Sequence, residues 1–474
     1  MHRVAIASTP LDRLTTYLDP DRAERLGAYA VRAEAMLSGR TIWNVNATAA
    51  GGGVAEMLQA LLAYAKGAGV DTRWLVLDGT PDFFAFTKRL HNHLHGSPGD
   101  GGDIGDAERR LYEEVLGRNL DALRSWVRRG DIVILHDPQT AGLAAGLRDL
   151  GAHVLWRCHV GRDEANDRTD LAWSFLRPYV EDAGGLNFSR RAFAPPWVDP
   201  DRLRVIPPSL DPFSAKNREM SDEDVATALR HTEIIDIPDD RGSLSFVRRD
   251  GSPGRVRRHS GLVLGGAVPD GARLVLQVSR WDRLKDMAGV LTGFVGHLPI
   301  LPQDVHLMLV GPDVSGVSDD PEGREVLEEC VAIWRDQPAP AQRRLHLCSL
   351  PMDDVDENAH LVNALQRHAT VVVQKSLVEG FGLTVTEPMW KGRPVIASGV
   401  GGIRDQVVDG ESGVLLEDPY DLDTFAEQLD LLLRDPGRAE RMGRAARERV
   451  RTQYLGDRHL IQYVDLFASL LDGD

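Results

Sequence analysis

Val378-Glu379-Gly380-Phe381-Gly382-Leu383-Thr384-Val385-Thr386-Glu387 places two carboxylates on either side of a glycine-bearing turn. Upstream, the β-branched stretch 370–374 reads as a short buried parallel strand, and 383–391 reads as the helix that follows it. The turn therefore lies at the carboxyl end of a strand, where open parallel sheets bind ligands. The first N–H groups of a helix have no partner within it and so suit a diphosphate, while Glu379 and Glu387 can accept hydrogen bonds from sugar and ribose hydroxyls. That chemistry fits a sugar nucleotide. Two glutamates near a helix start also complement the helix dipole without binding anything, so the pattern by itself leaves both readings open.

A second strand-end motif lies upstream in Leu274-Val275-Leu276-Gln277-Val278-Ser279-Arg280-Trp281-Asp282-Arg283-Leu284-Lys285-Asp286. Arg280 and Lys285 leaving one strand end can neutralise a diphosphate as charge builds on it in a transition state. With Asp282 and Arg283 interleaved, the same run reads equally as a charged turn facing water. A third loop, Thr48-Ala49-Ala50-Gly51-Gly52-Gly53, follows the expected strand 42–46 and leaves backbone N–H groups open to a phosphate, or it is only a tight strand-to-helix turn. Its order is not Gly-x-Gly-x-x-Gly, which weakens a dinucleotide dehydrogenase reading.

The chain has 474 residues, which predicts two domains, and 42% of them are hydrophobic, enough for full cores. A net charge of -16 argues against a nucleic-acid surface. Cys158, Cys330 and Cys348 are too few and too scattered for a disulfide framework or a zinc site. Asp199 with Asp201, and Asp421 with Asp423, read as turns or helix starts, and no metal is expected. No apolar run approaches spanning length and the N-terminus lacks a signal-peptide core, so the expectation is a soluble, cytoplasmic protein without a membrane partner.

Two blocks of short strands alternate with helical stretches, the pattern of doubly wound α/β domains. In the first block strands are expected near 42–46, 73–77, 131–136, 154–159, 185–189 and 204–207. The second places them near 273–279, 305–310, 345–348, 370–374, 394–397 and 414–416. Pro207, Pro208 and Pro212 mark a stiff linker. The domains are thus 1–210 and 211–454. The amphipathic stretch 455–474 either returns to the first domain or caps the second. Within 246–258 arginines cluster in an otherwise acidic chain, read as a loop bordering a cleft or a second subunit, or as a solvated linker. His159 ends a strand and can bond a sugar, although lone histidines are more often structural. His136-Asp137-Pro138-Gln139 ends the preceding strand and offers polar groups to an acceptor, or forms an Asp-Pro turn.

The Glu379 to Glu387 spacing, with Gly380-Phe381-Gly382-Leu383-Thr384 inside it, resembles the signature of retaining nucleotide-sugar glycosyltransferases, the group that includes glycogen synthase and sucrose synthase. Arg280 and Lys285 match the strand-end pair of that group. The segments Ile42-Trp43-Asn44-Val45-Asn46, Phe86-Thr87-Lys88-Arg89-Leu90-His91-Asn92, His136-Asp137-Pro138-Gln139 and Trp156-Arg157-Cys158-His159 together look like the trehalose glycosyltransferring synthases.

The resemblance implies a GT-B fold, two Rossmann-like doubly wound domains facing across a cleft, with the acceptor in the first and the donor in the second. It implies reversible joining of glucose from nucleoside diphosphate glucose to free glucose, giving α,α-trehalose with retention by front-face substitution. The related alternatives are a retaining trehalose phosphorylase and a glycosyltransferase with another acceptor. By the same resemblance the catalytic set is His159, Arg280, Lys285 and Glu379. Gly51, Gly52, Gly53, Gly380, Phe381, Gly382, Leu383, Thr384 and Glu387 join Arg280 and Lys285 in holding the donor. Asn46, Lys88, Asp137, Gln139 and Asp163 are expected to serve the acceptor, with Asn92 an alternative to Lys88. The partners are small sugars and nucleoside diphosphate glucose, which is a substrate, so no cofactor is called for. A homodimer and a monomer fit the sequence equally.

Overall fold

The structure, a computed structural model, describes residues 1–49, 52–237, 242–257, 262–314 and 321–472. The chain divides into two units. One comprises Met1–Leu210, Glu379–Phe381 and Tyr454–Asp474, and the other Asp211–Val378 and Gly382–Gln453.

In the first unit seven strands form one sheet: β1 (His2–Val4), β2 (Ile42–Asn46), β3 (Thr72–Val76), β4 (Ile132–His136), β5 (His153–Cys158), β6 (Gly185–Phe188) and β7 (Leu203–Val205), in the order β1-β3-β2-β4-β5-β6-β7. All neighbours are parallel except β1, which pairs antiparallel with β3 at the edge. The strands are short and apolar because helices cover both faces. One face buries Trp43, Val45, Leu75, Val133, Trp156 and Phe188. The other buries Ile42, Ile134, Leu155 and Ile206 against Ala33, Leu37, Val464 and Phe467. The last two lie on the helix Gly456–Leu471, whose apolar stripe thus packs within the first unit. Arg22 ties its first turn to the buried Asp457 carboxylate, Nε donating to Oδ2 at 3.1 Å and Nη2 to Oδ1 at 2.8 Å and Oδ2 at 2.7 Å.

The proline-rich stretch is less a free linker than a packed seam. Leu210 donates its N–H to the Tyr454 carbonyl at 2.7 Å, and the carbonyls of Pro207 and Pro208 each accept from Arg458 at 2.9 Å.

In the second unit two small sheets, β9 (Ser245–Val247) with β10 (Pro253–Arg255) and β8 (Ile235–Asp236) with β12 (Val268–Pro269), stand apart from the main sheet, to which β11 (Leu262–Leu264) belongs. There follow β13 (Arg273–Val278), β14 (Val305–Pro312), β15 (Leu345–Leu350), β16 (Val371–Gln374), β17 (Val395–Ser398) and β18 (Val414–Leu416). The main sheet runs β11-β15-β14-β13-β16-β17-β18, with only β11 antiparallel. Its six parallel strands follow the doubly wound 3-2-1-4-5-6 order, so the connection reverses between β13 and β16.

The arginine-rich segment is corrected by the structure. Instead of a loose loop, β9 and β10 form a hairpin whose arginines meet the acidic start of the helix Val355–His368. Arg248 bonds Asp354 at 2.5 Å, Arg249 bonds Asp356 at 2.8 Å, and Arg257 bonds Glu357 at 2.7 Å and Asp353 at 2.6 Å. Phe246 stacks on His360 beneath them, with ring centroids 4.9 Å apart. Carboxylates in the first turn favour the helix dipole, and the arginines then balance their charge. Arg258 lies outside the described residues.

Candidate functional site

The reversal between β13 and β16 sets two loops side by side at the carboxyl edge of the second sheet, where a doubly wound fold leaves room for a ligand. One is the loop after β13, which carries Arg280 and Lys285. Trp281 anchors it, buried to 1% exposure and donating its indole N–H to the Pro312 carbonyl at 3.0 Å. Asp282 caps the tight turn Arg283–Lys285 through the Leu284 N–H at 2.8 Å and pairs with Arg280 at 2.7 Å. Buried Gln277 donates to the Lys285 carbonyl at 2.8 Å, so the backbone bearing the lysine is held from below. Arg280 itself stays 59% exposed, which leaves its guanidinium hydrated and open to an incoming anion.

The second loop follows β16 and ends at the helix Leu383–Trp390. Gly382 caps that helix at φ +89°, a left-handed conformation that a side chain would strain. Thr384 follows in the first turn, and its hydroxyl is buried with no hydrogen-bond partner. The side-chain oxygens of Gln277 and Gln374, at the ends of β13 and β16, are also buried and unpartnered. Buried polar atoms normally find partners, and these three lie close to the switch point. Glu387, 5% exposed, is paired with Lys216 at 3.4 Å. Beneath it Lys391 donates to Gln366 at 2.8 Å and to Asn217 at 3.1 Å. Burial pulls the Lys391 ammonium down to about 7, and the Glu387 carboxylate opposes that fall.

In the first unit the corresponding edge gathers Asn46, Asp137 and His159 at the ends of β2, β4 and β5. Asp137 adopts φ +62°, which turns its carboxylate onto the His159 N–H at 2.8 Å. Burial pushes the Asp137 carboxyl up to about 7, with the His159 N–H and Arg157 pulling the other way.

The imidazole of His159 is held on both sides. An arginine can only donate, so Arg157 Nε, at 3.4 Å, makes His159 Nδ1 an acceptor. His159 Nε2–H then donates to His136 Nδ1 at 3.0 Å, and His136 Nε2–H donates to Asn44 Oδ1 at 3.1 Å. Fully buried Arg157 also donates to the Tyr463 hydroxyl at 2.7 Å, the Ile206 carbonyl at 3.0 Å and His459 at 3.3 Å. Burial, reinforced by the Arg157 charge, drives His136 down to about 3 and His159 and His459 well below the usual histidine range. These are neutral rings in fixed tautomers.

Residues 44–195 match the family model described as "Trehalose synthase, N-terminal domain", and residues 356–449 match "Glycosyl transferases group 1". The trehalose synthase of Pyrococcus horikoshii is 33% identical over 99% of both chains. The chain belongs to the trehalose synthase family. The family member from Rubrobacter xylanophilus is 34% identical over 92% of each chain. The crystal structure of an α,α-trehalose-phosphate synthase (UDP-forming) from Burkholderia vietnamiensis superposes with a TM-score of 0.65 at 17% identity, covering 92% of this chain and all of that one. The fold is GT-B, and the protein is a trehalose-related glycosyltransferase.

Within that family frame, the residues expected to form the site are distributed as follows. Arg280, Lys285, Gly382, Leu383, Thr384 and Glu387 converge on the switch point of the second unit. His159, Asp137, Gln139 and Asn46 stand along the carboxyl edge of the first sheet. Glu379, Gly380 and Phe381 group with the first unit, where a β-carbon on Gly380 would stand 3.0 Å from the His159 carbonyl oxygen. Phe381 packs on Tyr454, with centroids 5.6 Å apart. Gly52 and Gly53 start the helix Gly53–Gly67, Gly52 at φ +143°; Gly51 lies outside the described residues.

Three acceptor candidates take on defined partners or surroundings. Asn46 accepts from the Trp74 indole at 2.8 Å and donates to the Thr48 carbonyl at 2.7 Å, which fixes the start of the glycine loop. Asp163 is paired with Arg190. Lys88 is exposed on the helix Pro81–Leu94, whereas His93 on that helix is buried against the Arg89 carbonyl at 3.0 Å. Sequence reasoning missed Lys216, Lys375, Asp286, Asn44 and His95, the last bonding the Gly161 carbonyl at 3.2 Å next to Gly380. Nothing local marks them, because each acts through a partner distant in sequence. Among the described residues no group of three or more His, Cys, Asp or Glu is arranged to hold a metal, and no helix is long and apolar enough to cross a membrane.

Proposed function

We propose that this glycosyltransferase moves glucose, with retention, between a nucleoside diphosphate glucose and free glucose, making α,α-trehalose in one direction and the sugar nucleotide in the other. The observation that carries the reading is the pairing of the Arg280 and Lys285 loop with the Gly382 to Glu387 helix start at one switch point, in a member of the trehalose synthase family.

In this scheme the first amides of the Leu383–Trp390 helix and the Thr384 hydroxyl take the diphosphate, and Glu387 takes the ribose hydroxyls. The bond from the anomeric carbon to the diphosphate oxygen breaks. A hydroxyl oxygen of the acceptor glucose bonds the same face of that carbon, and its proton passes to the departing diphosphate. Arg280 and Lys285 stabilise the charge that collects on the leaving group, the step at which preorganised cations contribute most. No carboxylate nucleophile is assigned, in contrast to a retaining glycosidase. Glu379 and His159 border the hexose, and Asp137 and Gln139 the acceptor.

The deciding experiment incubates the protein with trehalose and, separately, ADP, UDP, GDP or inorganic phosphate. Glucose plus a nucleoside diphosphate glucose is the expected outcome and names the base. Glucose 1-phosphate from phosphate alone would replace this reading with a phosphorylase. Release of no glucose in any mixture would overturn trehalose as product.

A further inference from the structure

We propose that Asp286 and Lys375 are positioning residues for the donor site: their buried ion pair locks the loop bearing Arg280 and Lys285 to the segment 375–378, so that Lys285 is presented in one fixed place. The assignment of a task to Lys285 rests on the donor reading above.

Asp286 directly follows Lys285, and Lys375 directly follows β16, so the pair joins the two loops that flank the switch point. The Lys375 ammonium, 1% exposed, donates to the Asp286 carboxylate and to the Pro419 carbonyl at 2.7 Å. An ammonium taken out of water is costly unless it is well paired, which makes this contact stringent about where Asp286 can sit.

Asp286 is itself held in an unfavourable conformation. Its φ of +51° is left-handed, where glycine would rest without strain. A glycine there could not supply the carboxylate, which also accepts the Gly289 N–H at 3.2 Å and caps the helix Met287–Gly296. Space is cleared for it: a β-carbon on Gly289 would lie 2.3 Å from the Asp286 carboxylate. Strain kept at one residue to retain a side chain points to a task at that residue. Two further bonds run the same way. Leu377 donates its N–H to the Leu284 carbonyl at 2.8 Å, and Gln277 holds the Lys285 carbonyl at 2.8 Å. The loop is thereby fixed on both sides of Lys285, and preorganisation of this kind is what lets a cation act on a transition state without rearranging.

The test compares Lys375→Met, Asp286→Gly and the double variant with the intact enzyme. Amide hydrogen exchange of the unliganded proteins is read first. We expect residues 279–286 to exchange at least tenfold faster in both single variants while β14 and β17 keep their protection. Unchanged exchange, or loss of protection across the whole unit, would overturn the proposal. With trehalose and the nucleoside diphosphate that the intact enzyme accepts, kcat should fall at least tenfold. The nucleotide KM should change less than threefold, and the double variant should be no slower than the slower single variant. Wild-type kcat in the single variants would overturn the positioning role. Should either single variant fail to fold, the double variant carries the test, since it leaves no buried charge without its partner. If the intact enzyme turns over no nucleotide, the donor reading has failed and the exchange measurement alone judges the lock.

Discussion

Thr384 buries a hydroxyl that has no partner in the protein, in the first turn of a helix that is otherwise well packed. An unmade hydrogen bond costs the folded state the desolvation of that oxygen, and an isosteric apolar group would not incur it. Thr384→Val is therefore expected to leave the thermal midpoint unchanged or raise it slightly. It should weaken the donor nucleotide by roughly fivefold, the size of one neutral hydrogen bond. Calorimetric melting and nucleotide titration check the two halves, and unchanged nucleotide affinity would remove Thr384 from the phosphate site. Thr384, Glu387, Arg280 and Lys285 could be read from the sequence as candidates because each lies in a short motif at a strand end. His136 as the partner of His159, and Asn44 as the partner of His136, were not legible, since that chain of hydrogen bonds joins residues on three strands and their ends.

Helix starts and hairpins decide where those side chains stand. At Gly382 the backbone enters the helix in a left-handed conformation, which costs an L-residue roughly 1–2 kcal/mol. Gly382→Ala should lower the stability of the second unit by about that amount and also weaken nucleotide binding, because the amides of the first turn shift with it. Denaturant unfolding with and without nucleoside diphosphate measures both effects; an alanine tolerated without loss of either would show that the turn does not need glycine. The β9 and β10 hairpin teaches a complementary lesson. Strands of three residues are too short for a periodic signal, and arginine-rich spacing read alone suggested a solvated or mobile stretch. The acids that pair with it lie about a hundred residues later, at 353–357, so only the folded chain shows that its charges are balanced.

For the molecule as a whole, buried histidines set the response to acid. His136 is driven to about 3, His346 and His360 to about 4, and His159 and His459 well below the usual range, all mainly by burial. Unfolded, each would take up a proton near pH 6.5, so the stability they provide is complete above that pH and is lost as pH falls toward their folded values. Each contributes a slope of up to about 1.4 kcal/mol per pH unit in that window. Asp137 works in the opposite sense: with its folded value raised to about 7, it costs stability as pH rises from roughly 4 to 7. Five histidines outweigh one aspartate. Thermal midpoints should therefore fall by at least about 5 °C between pH 7.5 and pH 5.5. Scanning calorimetry at the two values checks this, and a flat profile would show that these rings are not buried neutral.

The sequence by itself determined the two sets of alternating strands and helices and the strand-end motifs, because hydrophobic period, glycine and paired charges act over a few neighbouring residues. Only the tertiary structure decided the strand order that brings the loop after β13 beside the loop after β16, the seat of the terminal helix on the first sheet, and the partners of Arg157, Lys375 and Lys391. Those depend on which buried surfaces meet and on how each buried charge is paired, and both are settled between residues far apart in the chain.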